Sequence, residues 1–307
     1  MEDTIVPEQK TFFEKIWSFL SKKTVYIPLI ILFILSLIVV GYLLGGRAEE
    51  KKDQEIKLEE SNVVETEGDS DTTEPEAEQD SDVIWTSMDG KWVPSGTPPE
   101  CDDPLILDLP VVRSEVSGIL WPGQIRGDDF KSHGGFRFPE TTQKHTVTAH
   151  TDMHLINASN YLSSGIVQYF LVFSSPCGIV YKFDHAFKLG PKLEVIDDVL
   201  PVPTEGDSRT TFIQPPIKLE KGDVIATEIG IGSNVFIDYG VHDVRQPNEQ
   251  SKDPSWSALE YFNPNEFNIY GICWLEVISQ EDKQYLLDLP VAGKEGETSD
   301  YCIGIRD

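Results

Sequence analysis

Ile166-Val-Gln-Tyr-Phe-Leu-Val-Phe173, followed past a Ser175-Pro176 turn signal by Ile179-Val-Tyr-Lys-Phe183, decides the fold class. Both runs are β-branched and aromatic, too short for apolar helices and bounded by turn formers, so they predict strands. The same grammar extends outward. Asp223–Ile229 (DVIATEI), Val235–Tyr239 (VFIDY) and Gly271–Ile278 (GICWLEVI) read as strands, with turn signals at Lys221-Gly222 and Ile231-Gly-Ser-Asn234. The longest helical window is Trp256–Phe262. Trp85, Trp92, Trp121, Trp256 and Trp274 mark the same region as core-forming. Residues 83–307 therefore predict one all-β domain, a sandwich or partly closed barrel. Leu107-Asp-Leu-Pro-Val111 recurs as Leu287-Asp-Leu-Pro-Val291, which reads as two edge strands ending in proline.

Upstream of Val83 the chain changes character twice. Residues 24–46 carry no charge, and 23 helical residues span about 34 Å, enough to cross a hydrocarbon core of about 30 Å. Tyr26 and Tyr42 fall near the two ends, where interfacial aromatics sit. The run exceeds a signal-peptide core and no small-x-small cleavage site follows at once, so a transmembrane helix over 25–46 is expected, behind a short tail, 1–24. Lys10, Lys15, Lys22 and Lys23 precede it and Arg47, Lys51, Lys52 and Lys57 follow, so basic residues do not set the orientation. The short N-terminal tail and the concentration of all cysteines downstream favour a cytoplasmic tail and an outer C-terminal domain. Residues 47–82 hold fifteen acidic residues against four basic ones and almost nothing apolar, the composition of a disordered acidic spacer.

The whole chain carries a net charge of −27. So acidic a body, with no basic stripe, argues against nucleic-acid binding. Cys101, Cys177, Cys273 and Cys302 form no CxxC pair, which argues against structural zinc. In an oxidising compartment they allow two disulfides in three connectivities. Cys101 and Cys302 bracket the domain, and linking them would tie its ends together; Cys273 in its apolar run reads equally as a buried thiol. His145, His150 and His154 invite a metal reading, but TVTAHT is β-branched and alternating, so surface histidines on strand or loop are expected. Asn157-Ala-Ser159 fits a glycosylation sequon. The pairs Asp102-Asp103, Asp128-Asp129 and Asp197-Asp198 read as solvated loop carboxylates, with no regular calcium loop. There is no Gly-x-Ser-x-Gly elbow, phosphate loop or dinucleotide fingerprint.

A more informative set is spread along the chain: His133 in Lys-Ser-His-Gly-Gly-Phe-Arg137, His185 closing Tyr181-Lys-Phe-Asp-His185, the hairpin Lys218–Gly230 containing Lys-Gly-Asp-Val-Ile, and Asn234-Val-Phe-Ile-Asp238. This order resembles the LytM-type zinc peptidases of the M23 family, which cut peptidoglycan cross-bridges, over roughly residues 120–245. The resemblance implies a LytM-like barrel or sandwich with a C-terminal extension, and a groove formed by His133, Arg137, His185 and Asp238. In that family zinc is held by a His-x-x-x-Asp pair and the second histidine of a His-x-His strand. Here Arg137 stands at the aspartate, and Phe236 and Asp238 at the two histidines, so two of the three ligands differ. The resemblance thus implies the scaffold without the metal or a cofactor, with Arg137 pairing with Asp238 in the vacated place and Tyr181, Phe183 and Phe236 as groove walls. A binding or scaffolding module follows, facing a cell-wall or envelope component. The alternative is a metal-dependent cell-wall endopeptidase using His133, His185 and Asp238 as ligands. The tail from Tyr270 to Cys302 matches no part of the peptidase pattern.

Overall fold

The computed structural model describes residues 83–306 except 89, 128 and 258–265. The expected tail 1–24, helix 25–46 and linker 47–82 lie outside them; among the described residues no helix is long and apolar enough to cross a membrane.

The described chain is mainly β. It opens with a hairpin of β1 (Trp85–Met88) and β2 (Lys91–Pro94). There follow β3 (Gly118–Leu120), a second hairpin of β4 (Gln124–Arg126) and β5 (Asp129–Lys131), β6 (Gly134–Arg137) and β7 (Val147–Thr148). Three long strands form a meander: β8 (Met153–Ser163), β9 (Ile166–Ser174) and β10 (Ile179–Leu189). Then come β11 (Thr211–Leu219), β12 (Val224–Ile229) and β13 (Phe236–Asp243). Nine of these build one sheet in the order β11-β8-β9-β10-β13-β6-β3, with β12 and β7 branching from β10. Every ladder in it is antiparallel. The strand path is open, ending at β11 and β3.

The reason the deciding stretch shows no alternation is that the sheet is covered on both sides. One face carries Leu155, Leu171, Phe173, Tyr181, Phe183, Ile237 and Tyr239 in the main core. The other carries Ile156, Phe170, Val172, Val180 and Val244, roofed by Trp85 and Trp92 of the β1–β2 hairpin. The β8–β9 turn is two residues, Ser164 and Gly165, both at positive φ (54° and 76°), the geometry that matches strand twist.

Three expectations change. Gly271–Ile278 is no strand: Trp274–Glu276 form a 3-10 turn, because the consecutive residues Trp274 and Leu275 both enter the core. Leu287-Asp-Leu-Pro-Val291 is no edge strand either. Leu287 ends a helix, Gln280–Leu287, whose start is capped by Ser279 accepting from the Asp282 N–H. Of the helical window Trp256–Phe262, Trp256 and Ser257 are helical, closing a short helix over Pro254–Ser257, and the remainder lies outside the described residues. The disulfides are Cys101–Cys177 and Cys273–Cys302, not Cys101–Cys302. The segment before β3 lies against the β9–β10 turn and the C-terminus lies beside the 3-10 turn, so each end is fastened to the body separately. Both cysteine pairs fit an oxidising compartment.

Candidate functional site

The site sits where β10 changes partners. Its first half, Ile179–Asp184, pairs with β13, and its second half, Ala186–Leu189, pairs with β12. Between them the ladder with β9 skips from Phe183 to Ala186. His185 fills the gap at φ 70°, an uncommon conformation for a side-chain-bearing residue. Its N–H is held by Asp184 Oδ1 at 2.8 Å and its carbonyl by the Gly230 N–H at 2.9 Å. Such a bulge re-aims a side chain.

Strand alternation sorts the neighbours. Ile179, Tyr181 and Phe183 point into the main core, so Tyr181 and Phe183 are not groove walls. Val180, Lys182 and Asp184 point the other way, opposite His242, Gly240 and Asp238 of β13. Two glycines floor the site: a Cβ on Gly240 would lie 3.1 Å from His133 Cβ, and one on Gly135 would lie 2.5 Å from the Ile237 carbonyl. Either would push the polar groups apart.

On this floor the groups form a connected chain. Lys182 Nζ lies 3.2 Å from His133 Nδ1, and His133 Nε2 lies 3.1 Å from Asp238 Oδ2. Burial, then the Lys182 charge, pushes His133 down to about 3, so the ring is neutral. With Lys182 donating to Nδ1, the ring proton is on Nε2 and donates to Asp238. Burial alone would raise the Asp238 carboxyl. The hydrogen bond from His133 and the charge of Arg126 outweigh it and hold the carboxyl below its ordinary range. Burial lowers Lys182, opposed by Asp184 and Asp238. Arg126 fixes the backbone by donating to the His133 carbonyl at 2.9 Å.

His185 closes the chain from the other side. Tyr161 donates to Asp184 Oδ1 at 2.7 Å, and its oxygen lies 3.2 Å from His185 Nδ1. Burial and the Asp184 charge raise the Tyr161 hydroxyl, so it keeps that proton. His185 Nδ1–H is then the donor to Tyr161, and Nε2 faces Asp238 Oδ2 at 3.7 Å. The His185 ring packs on Phe236, centroids 4.4 Å apart.

The structure thus brings His133, His185 and Asp238 together, while Arg137 stands apart. Arg137 donates to Asn234 Oδ1 and covers Phe236 at 4.3 Å from the ring centroid; it does not close on Asp238. Register is the cause: Phe236 is the Cα partner of Arg137, and Asp238 faces Gly135. Lys182, Asp184 and Tyr161 were missed. The alternation of Lys182 and Asp184 with Tyr181 and Phe183 was the available signal for two of them.

Together these groups line a cleft of about 680 Å³ that also reaches Lys131, Phe170, Ser208, Arg209, Thr210 and Phe267. The zinc ligand set implied by the resemblance does not fit: Arg137 and Phe236 stack on each other where two ligands would stand. Among the described residues, one group of potential ligand atoms converges, Asp184, His185 and Asp238, all within 4.8 Å of one another.

The other histidines are not on the surface. His145 is buried, 2.8 Å from Glu115 and stacked on Phe138. His150 is buried against Tyr181 and Tyr239, and His154 lies buried in β8. Patterns of β-branched residues mark strands but do not say which side is covered. Asn157 is buried in the middle of β8, so its sequon offers no accessible amide. Asp102, Asp103, Asp197 and Asp198 are exposed, as solvated carboxylates should be. No family model, curated protein or solved structure matches this chain.

Proposed function

We propose that the chain is a single-pass membrane protein of the cell envelope, anchored through residues 25–46. In this reading its outer β-domain is a catalytically inactive M23-peptidase-like module that binds or scaffolds an envelope component. The observation that carries it is the convergence of His133, His185 and Asp238 on a glycine-floored sheet face that opens into a cleft; Arg137 and Phe236, which the resemblance would align with two zinc ligands, stack on each other instead. Lys182 adds a further cation beside His133, which opposes a divalent ion. The two disulfides support a location outside the cytoplasm.

A second reading, a metal-dependent cell-wall endopeptidase with a non-standard ligand set, is favoured by the grouping of Asp184, His185 and Asp238. Elemental analysis of the purified protein, dialysed without chelator, separates the two. The inactive module carries no stoichiometric transition metal, and its fold survives chelator. One equivalent of zinc, lost in His185→Ala, would overturn the inactive reading and direct attention to peptide-bond hydrolysis.

A further inference from the structure

The cleft holds a cation that no carboxylate among the described residues pairs with directly. Lys182 rises from β10 between Val172 and Gly240, its partners on the two neighbouring strands. An ammonium has three N–H donors. One meets His133 Nδ1 at 3.2 Å. Near the others stand the ring faces of Phe170 and Phe267, 4.8 Å and 5.8 Å from Nζ to centroid, and no carboxylate among the described residues closes an ion pair with Lys182. A shielded ammonium without an oxygen acceptor is costly, and an anion entering the cleft would relieve that cost.

Lys131 and Arg209 line the same cleft with the hydroxyls of Ser208 and Thr210. Each already has a carboxylate partner, Lys131 on Asp129 at 2.7 Å and Arg209 on Asp207 through both Nε and Nη2, and the Arg209 side chain is 89% exposed. Lys182 is the cation of the wall that lacks such a partner among the described residues. Asp184, two residues along β10 on the same face, and Asp238, its partner on β13, act on Lys182 through space. They would repel a dianion, and their oxygens can accept from a donor next to a monoanion.

We propose that the cleft binds a carboxylate: the monoanion docks on the remaining N–H groups of Lys182, Arg209 adds its field from the rim while Nε and Nη2 stay on Asp207, and a hydroxyl or amine beside it donates to Asp184 or Asp238. Charge-assisted bonds of this kind are the strong ones in a sheltered site. The assignment rests on the binding-module reading and names its ligand chemistry.

The full chain in detergent micelles is titrated calorimetrically with glucuronate, a carboxylate flanked by hydroxyls, and with alanine, a carboxylate flanked by an amine. Glucose and inorganic phosphate serve as comparison probes. Saturable binding of one carboxylate is expected, tighter than phosphate and with none for glucose; which carboxylate binds tells a sugar acid from an amino-acid source. Lys182→Met should weaken that binding about tenfold or more, the size of a lost hydrogen bond to a charged group. Arg209→Ala should weaken it severalfold, and its exposure keeps the test readable if Lys182→Met fails to fold. No saturable heat from either carboxylate, tighter binding of phosphate, or affinity unchanged in both variants would overturn the proposal. The two readings fail separately: stoichiometric zinc overturns the inactive module, whereas binding of glucose without either carboxylate leaves a module and removes its proposed ligand chemistry.

Discussion

The second face of the sheet has two ends that share strands and register yet do opposite things. At one end Val172, Val180 and Val244 lie under Trp85 and Trp92. Two to six residues further along the same strands stand Lys182, Asp184 and Asp238, open to the cleft. Phe267 marks the boundary, packed toward Trp92 on one side and lining the cleft on the other. The pleat gives both ends the same geometry, so what separates them is the roof. The hairpin covers one end and is held there by the Trp85 Nε1–H donating to the Pro176 carbonyl at 3.0 Å, beside the Cys101–Cys177 bridge. The other end is left open as the cleft.

If the roof is what makes the covered end structural, removing it should be the most damaging change. Trp85→Ala takes away a large buried ring and its hydrogen bond and is expected to cost about 3–5 kcal/mol in urea unfolding. A loss below about 1 kcal/mol would mean that the hairpin is an ornament and that both ends of the face are equally open.

Acid provides the next largest test, because buried neutral histidines lie on both sides of the sheet. His150 in the main core and His242 beneath Phe267 are each pushed down to about 3, first by burial. Their unfolded value is about 6.5, so below that pH the unfolded chain takes up protons that the folded one refuses. Stability is therefore complete above about pH 6.5 and falls as pH drops toward 3, by about 1.4 kcal/mol per pH unit for each histidine. Unfolding measured from pH 7 to 5 should show this slope, and His242→Gln should remove its share. A flat profile would place these rings in contact with water and contradict their burial.

The covered half of the molecule was the legible half. Ile166–Phe173, Ile179–Phe183, Asp223–Ile229 and Val235–Tyr239 lie almost wholly in strands, because runs of β-branched and aromatic residues do little else between turn signals. Gly271–Ile278 failed for the same reason it looked convincing, since apolar composition reports burial and Trp274 and Leu275 reach it from a 3-10 turn. At the site, His133, His185 and Asp238 were readable as types in a spaced order. Their bonds were not, because a pairing depends on register. One step along β13 decides that Arg137 meets Phe236 and leaves Asp238 to the histidines. The disulfides are a similar case: spacing counts connectivities, and only the fold brings Cys101 to the β9–β10 turn.

The smallest expected change is the one that most sharply separates the two ends. Lys182→Met keeps the length of the stem and its packing on Phe170 while removing the ammonium. At the covered end, deleting a side chain of this size would open a cavity. At the open end the same position holds a charge whose burial opposes folding, and the His133 Nδ1 that loses its donor lies beside a cleft wide enough for water to take over. Unfolding free energy should therefore stay within about 1 kcal/mol of the parent, on either side, while carboxylate binding falls. A loss of several kcal/mol would mean that Lys182 is a structural strut and that the polar end of the face, like the apolar end, exists to hold the sheet together.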